Sequence, residues 1–458
     1  MNQIVQYFLL AGIVAVAFIP SLSLAGIILL SLTFCLFLLT LAQKRLSVIL
    51  LFTFAFAYMI PPEAILSGSS ILSQWGDSAR VGFRVLLFSF VAVYSGFLFS
   101  RKKEPFINQE AKSLRRFDLV NKDFCKWVCL ILTFVVTLLC CPMILHGLTT
   151  GRGGGLLFDV GVGSYFLMSF MYLICGFWGY YYYLEGKGVL SVLKALILSS
   201  PMFLIGVASG TRFYLCFMFL LVLTPWIYYL SAKKIKWIAV SCVLVMVLFS
   251  AMKMSRTEGF DLRAAFVGTS TREGLGAVEK IASVGSPEGL IHCMSMIDDY
   301  TTKKSYTYGK SVGFLAIFWI PRFLWEDKPA HMGHWLIREY YTKGFGESHS
   351  TSASFCGELF LDFGYLCIAF CFVLGVAMAK IDAYISRHLS SRSFFSTVLS
   401  GALLGWSLFM TRSFVTASQG IVLLLPVLYL FSKFVVEEKL IVSRRLNNGN
   451  QIIRFKTR

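Results

Sequence analysis

Five arginines stand at the ends of long apolar blocks or in the one long loop between two of them. They are Arg152 in GRGGGL, Arg212 in ASGTRF, Arg256 just after an apolar run, Arg322 in WIPRFLWEDKP and Arg412 in FMTRSF. Arginine is costly in or near hydrocarbon, so one placed there usually faces a polar cavity or a partner. Its planar fork of donors matches phosphate oxygens, and the glycines around Arg152 let backbone amides approach an anion as well. If the five converge, with Lys328 in reserve, they would bind a lipid pyrophosphate. Any one of them alone is explained equally well as snorkelling to the interface.

Candidate proton acceptors are Glu358 first, then His349, then the adjacent Asp298 and Asp299, with Asp362 one turn beyond Glu358. A carboxylate buried beside arginines takes a proton from an attacking sugar hydroxyl. Singly, each acid or histidine is better explained as solvated or packed. His331 and His334 in HMGH have no third ligand at a recognisable spacing, so no zinc site is expected. Tyr300, Tyr306, Tyr308, Trp325 and Trp335 offer flat faces for sugar rings, although loop aromatics more often pack. GRGGGL lacks the following Lys-Ser/Thr of a phosphate-binding loop. The outward side carries neither a DxD nor a carboxylate cage. Neither a metal nor any other cofactor is therefore expected.

The elements that must position these residues are membrane spans. Hydrophobic residues make up 57% of 458 positions and charged residues 14%, against roughly a quarter charged in soluble domains. The apolar residues fall in blocks near the ~20 residues that cross hydrocarbon. This predicts an all-α polytopic membrane protein with spans at 3–20, 21–42, 47–61, 82–99, 127–147, 163–184, 189–208, 213–231, 237–252, 357–379, 393–411 and 413–432, about twelve in all. The first apolar stretch has no basic segment before it and no small-residue cleavage site after it, so it is expected to stay as a span. The net charge of +18 sits in short clusters between spans, the pattern of cytoplasmic loops and not of a nucleic-acid surface. With the N-terminus inside, 25 of the 42 Lys and Arg fall in the cytoplasmic loops, near their span ends and in the tail. Both termini are then cytoplasmic, with a basic tail over 433–458.

The chain reads as one membrane domain, 1–458, with one large outside loop at 253–356. That loop's twelve basic residues face eleven acids, and GFLAIFWI at 313–320 is too short to span, so it is expected to pack as an interfacial or re-entrant segment. A loop of this length with structure of its own is a functional element more often than a tether. The twelve cysteines include no CxxC pair, and most read as small packed residues. No disulfide scaffold is expected, and a pairing of Cys293 with Cys356 across the loop is left open by the sequence.

IPRFLWEDKP at 320–329, SHSTSAS at 348–354 and GELFLDFGY at 357–365, with SGTRF around Arg212, resemble the Wzy-type polysaccharide repeat-unit polymerases. A looser pattern of Arg, ten residues, then Gly fits Arg152 with Gly163 and Arg322 with Gly333, but also Arg263 with Gly274. The resemblance covers roughly 205–215 and 320–365 plus the topology. It implies a GT-C-like, metal-independent glycosyltransferase of the bacterial inner membrane with its active site facing the periplasm. The implied substrate is an undecaprenyl-pyrophosphate-linked oligosaccharide, whose growing chain is transferred to the non-reducing end of a new unit. A chain-length regulator and a flippase would be its partners alongside membrane lipids, with no nucleic acid. Two alternatives remain: an O-antigen ligase, and a lipid-linked oligosaccharide flippase or other transporter. The second fits less well, because no repeat is visible and ionisable groups sit mainly at span ends.

Overall fold

The computed structural model describes residues 2–42, 46–101, 115–119, 122–149, 162–186, 188–208, 212–228, 289–320, 324–329, 331, 332–340, 353–389, 393–445 and 451–457. The first half of the chain runs through α1 (Asn2–Val16), α2 (Leu22–Leu41), α3 (Val48–Trp75), α4 (Asp77–Arg101), α5 (Lys122–Leu139), α6 (Cys141–Thr149), α7 (Val162–Glu185), α8 (Val189–Ala208) and α9 (Arg212–Ile227). The second half contributes α10 (Leu290–Lys303), α11 (Lys310–Ile317), α12 (Met332–Tyr340), α13 (Ser354–Phe363), α14 (Cys367–His388), α15 (Phe394–Met410) and α16 (Phe414–Val435). Among the described residues six runs are long and apolar enough to cross a membrane: α2, α3, α4, α8, the stretch Ser354–His388 that joins α13 to α14, and α16. Helices α1, α9 and α15 are apolar but shorter. Phe8, Ile27, Phe34, Phe134, Ile197 and Val373 are among many large apolar side chains left exposed, a surface that lipid solvates and water does not. The chain is a helical membrane protein. The expected span at 237–252 lies outside the described residues, as does the first part of the long loop.

Two spans differ from the boundaries that hydropathy suggests. Pro61 and Pro62 predict an end to the third span near residue 61, yet α3 continues for 28 residues to Trp75. Proline removes a helix donor, but packing against α2 holds the helix on both sides of the pair. Gly26 lies so close that a Cβ there would sit 2.9 Å from the Pro61 carbonyl oxygen, and one on Gly68 would sit 2.8 Å from the Leu22 Cβ. The fifth expected span, 127–147, is instead two helices, α5 and α6, meeting at Cys140; Pro142 falls in the first turn of α6, where its missing N–H costs nothing. The closest helix crossing is α4 on α14. Gly96 faces the Phe372 carbonyl and Gly375 faces the Val93 carbonyl, and an added Cβ would collide with backbone at either place. Small residues let membrane helices approach in this way.

Four buried carboxylates pin these helices together, each closing the N-terminus of a helix other than its own. The first amides of a helix have no partner within it, and the helix dipole favours negative charge there. Glu63 of α3 accepts from Ile291 N at 3.0 Å and His292 N at 3.1 Å, at the start of α10. Asp362 of α13 accepts from Ser311 N at 3.1 Å and Val312 N at 2.9 Å, at the start of α11, and also from the Thr307 hydroxyl. Asp382 of α14 accepts from Val48 N at 3.3 Å, the first residue of α3. Glu358, the fourth, belongs to the site described below.

Turns expected on one side of the membrane gather at one end of the bundle. Leu46 N donates to Tyr228 O, and the Tyr228 hydroxyl bonds Ser386. At this same end three strands form a small antiparallel sheet outside the helical body: β1 (Arg115–Leu119), β2 (Val436–Arg445) and β3 (Gln451–Thr457), in the order β1-β2-β3. Arg115 pairs with Leu440 and Leu440 with Lys456. The sequence predicts no strands here. The described part of the long loop is helical (α10, α11 and α12), and GFLAIFWI falls largely in α11.

Candidate functional site

At the opposite end, Glu358, Ser413, Thr416 and His331 form one hydrogen-bonded knot. Glu358 is fully buried on α13. Its Oε1 accepts from the Ser413 hydroxyl at 2.8 Å and its Oε2 from Val415 N at 2.8 Å, which closes the start of α16. Ser413 in turn accepts from Thr416 N at 3.2 Å. The Thr416 hydroxyl lies 3.2 Å from His331 Nε2, and that nitrogen lies 3.7 Å from Glu358 Oε1. Gly333 N donates to His331 Nδ1 at 3.2 Å, so in the neutral ring Nδ1 carries the lone pair and Nε2 the proton. His331 keeps 18% of its side chain exposed; Glu358 keeps none. The imidazole is thus the member of the pair that a substrate can reach, with the carboxylate behind it.

Backbone geometry brings these pieces together. Ser354 opens α13 in the left-handed region at φ 65° and forms a bridge to Ser413. A non-glycine residue in that region costs about 1–3 kcal/mol and survives only where its surroundings impose it. Its hydroxyl accepts from Gly357 N at 3.1 Å, which steadies the turn before Glu358.

The expected cations are placed unevenly. Arg412 is half-buried in the turn between α15 and α16, next to Ser413 of the knot. Arg212 is the first residue of α9. Tyr214 of α9 packs edge-on against Phe409 of α15 at 5.7 Å, so the start of α9 and the Arg412 turn share one end of adjacent helices. Lys328 takes a different part: its ammonium donates to Phe318 O at 2.6 Å and Ile320 O at 2.9 Å, and sits 5.5 Å from the Phe314 ring. It ties the end of α11 to the IPRFLWEDKP stretch. Phe314 also meets His331 at 5.7 Å, so this stretch borders the knot. Arg152, Arg256, Arg322 and His349 lie outside the described residues.

Asp298 and Asp299 are on α10 and bond to partners outside the knot. Burial pushes the Asp298 carboxyl above its usual range, opposed by a hydrogen bond from Ser78 and reinforced by Asp299. Asp299 accepts from Lys303 Nζ at 2.8 Å and from the Tyr340 hydroxyl at 3.0 Å. Burial and that carboxylate together raise the Tyr340 phenol. Nearby, Trp75 Nε1 donates to His292 Nδ1 at 3.1 Å, and burial lowers the His292 imidazolium. Of the five aromatics expected to stack on sugars, Tyr308 is exposed, and Tyr300 and Trp335 pack on each other at 4.8 Å. The Tyr306 ring lies over Gly364, where a Cβ would be 2.8 Å away; Gly364 needs its left-handed φ of 59° to turn α13 into α14. Trp325 remains exposed. Cys293 and Cys356 are both buried and form no disulfide, so the pairing that the sequence leaves open is not made. Among the described residues no three His, Cys, Asp or Glu side chains gather closely enough to hold a metal ion.

His331 is the residue that the sequence undervalues. Its partner is 27 positions away and its hydroxyl neighbour 85, and no spacing rule links them. Compared with known protein families, curated proteins and solved structures, the chain matches none.

Proposed function

We propose that this protein is a metal-independent glycosyltransferase that polymerises lipid-linked oligosaccharide repeat units at the outer face of a bacterial inner membrane, both termini being cytoplasmic. Twelve spans, three of them beyond the nine helices counted above, complete the proposed topology. The observation that carries this reading is the meeting of Arg412 and the start of α9 with a buried Glu–His pair at one end of the bundle. A pyrophosphate leaving group needs positive charge where its negative charge develops. Arg212 and Arg412 supply it, joined by Arg152, Arg256 and Arg322. His331 Nδ1 takes the proton of the attacking sugar hydroxyl once it releases Gly333 N, which donates to it at rest, and Glu358, beside the far nitrogen, steadies the imidazolium. The carboxylate therefore acts through the histidine and is a positioning residue. The undecaprenyl carrier, the chain-length regulator and the flippase follow from the same reading.

The test is surface polysaccharide length in the host with the gene deleted, read on a gel beside wild type and a complemented strain. Collapse of the ladder to a single attached unit supports polymerisation. Loss of all attached units while long lipid-linked chains persist would make the protein a ligase instead. Units stranded on the cytoplasmic face would make it a flippase. Complementation with Arg212→Ala or Arg412→Ala is expected to leave the collapsed pattern at normal membrane abundance; a full ladder from both would remove those arginines from the site.

A further inference from the structure

We propose that a second groove, at the same end of the bundle but on its flank, binds the phosphodiester headgroup of an anionic phospholipid. The groove holds about 320 Å³ and is lined by Ala17, Phe18, Ile19, Pro20, Leu22 and Phe83 together with Arg80 and Arg84. The two arginines are four residues apart on α4, so they share a face. The turn between α1 and α2 forms the apolar wall. Arg84 is fixed in place: its Nε donates to Ala17 O at 3.2 Å and its guanidinium lies 5.7 Å from the Phe18 ring. That leaves its terminal nitrogens for a further acceptor. Arg80 pairs with Asp77 at 3.0 Å, but the Asp77 side chain is 90% exposed, and such surface pairs hold weakly.

Charge selects the occupant. Arg80 and Arg84 against Asp77 leave one net positive charge, which matches a phosphodiester and falls short of a pyrophosphate. The walls select a lipid over a free anion. Phe18 is 63% exposed at the rim, and α2 leaves the groove carrying exposed Leu24, Ile27 and Ile28. These give an acyl chain a continuous apolar track, which a free anion cannot use. None of the residues of the groove belongs to the knot around Glu358, so the site stands whether or not the protein is a polymerase.

The test uses the full-length protein in neutral detergent and native mass spectrometry. Titrations with phosphatidylglycerol, phosphatidylcholine, inorganic phosphate and inorganic pyrophosphate are compared. One phosphatidylglycerol is expected to be retained at about tenfold lower concentration than phosphatidylcholine. Arg80→Gln should erase most of that preference, and neither inorganic anion should displace the lipid at equal concentration. Because Arg84 also holds the Ala17 carbonyl, Arg80→Gln carries the test if Arg84→Gln lowers the yield. Equal retention of both lipids, or a preference unchanged in Arg80→Gln, would overturn the site. Displacement by phosphate would overturn the lipid assignment, and displacement by pyrophosphate the phosphodiester.

Discussion

Replacing Glu358 with glutamine separates the two tasks assigned to that side chain. As a helix cap, the amide keeps one carbonyl oxygen for Val415 N, and the Ser413 hydroxyl can turn to accept from the new NH₂. The structural loss is then about one hydrogen bond, roughly 1 kcal/mol. As the partner of His331, the change removes a full charge 3.7 Å from Nε2. At an effective dielectric near 20, a unit pair at that separation is worth about 4 kcal/mol. Side-chain relaxation and the partial exposure of His331 reduce this to about 2–4 kcal/mol. At 1.36 kcal/mol per decade, turnover should fall roughly 30- to 1,000-fold. The assay is polymer length and rate in membranes supplied with lipid-linked repeat units, normalised to protein abundance by immunoblot. The loss should appear in kcat with KM little changed, and Glu358→Asp should restore part of it. Turnover within threefold of wild type at equal abundance would refute the role given to Glu358. A His331→Gln variant that polymerises normally would refute the pair altogether.

Other outcomes follow from the same geometry. Glu63→Ala strands Ile291 N and His292 N, so the thermal midpoint in detergent should fall by the equivalent of about 2–4 kcal/mol, with Glu63→Gln losing about half. Gly375→Leu drives a side chain into the Val93 backbone and should abolish recovery of folded protein, whereas Gly188→Leu, with open space around it, should be tolerated. Burial raises Asp298 above its ordinary 3.8, so the folded state binds a proton more readily than the unfolded chain. That contribution to stability is complete below about pH 3.8 and is lost as pH rises through the raised value. Asp298→Asn should therefore melt higher than wild type at pH 7, with the gap closing toward pH 4. It should also keep activity, since Asp298 bonds to a partner outside the knot.

Hydropathy reaches as far as lipid does. The bounds of α8 and α16 could be anticipated, because a 20-residue apolar run with charged ends has one stable arrangement in a bilayer, whereas the break after α13 falls inside the span expected at 357–379. Pro61–Pro62 misleads because a local rule for ending helices meets packing through Gly26 and Gly68 that no local window contains. The acids fail for the same reason. Glu358 and Asp362 stand one turn apart on one helix, yet each reaches a different helix start, α16 and α11. Arg412 could be found from sequence because arginine at a span end is conspicuous. His331 could not, because a loop histidine acquires meaning only from Glu358 and Thr416.

The helix-closing carboxylates also set an order in time. Glu63 waits for amides 228 residues downstream, and Val48, at the start of α3, waits for Asp382, 334 residues later. Ser47 caps Leu50 N from the start, but at ~5–20 residues per second Val48 N waits roughly 17–67 s for Asp382 and Glu63 roughly 11–46 s for its amides. Early and late parts of the polypeptide therefore complete each other across the ribosome's pause between them. A nascent chain halted before Asp382 emerges should present α3 as a provisional helix, open to quality-control proteases until its last partner arrives.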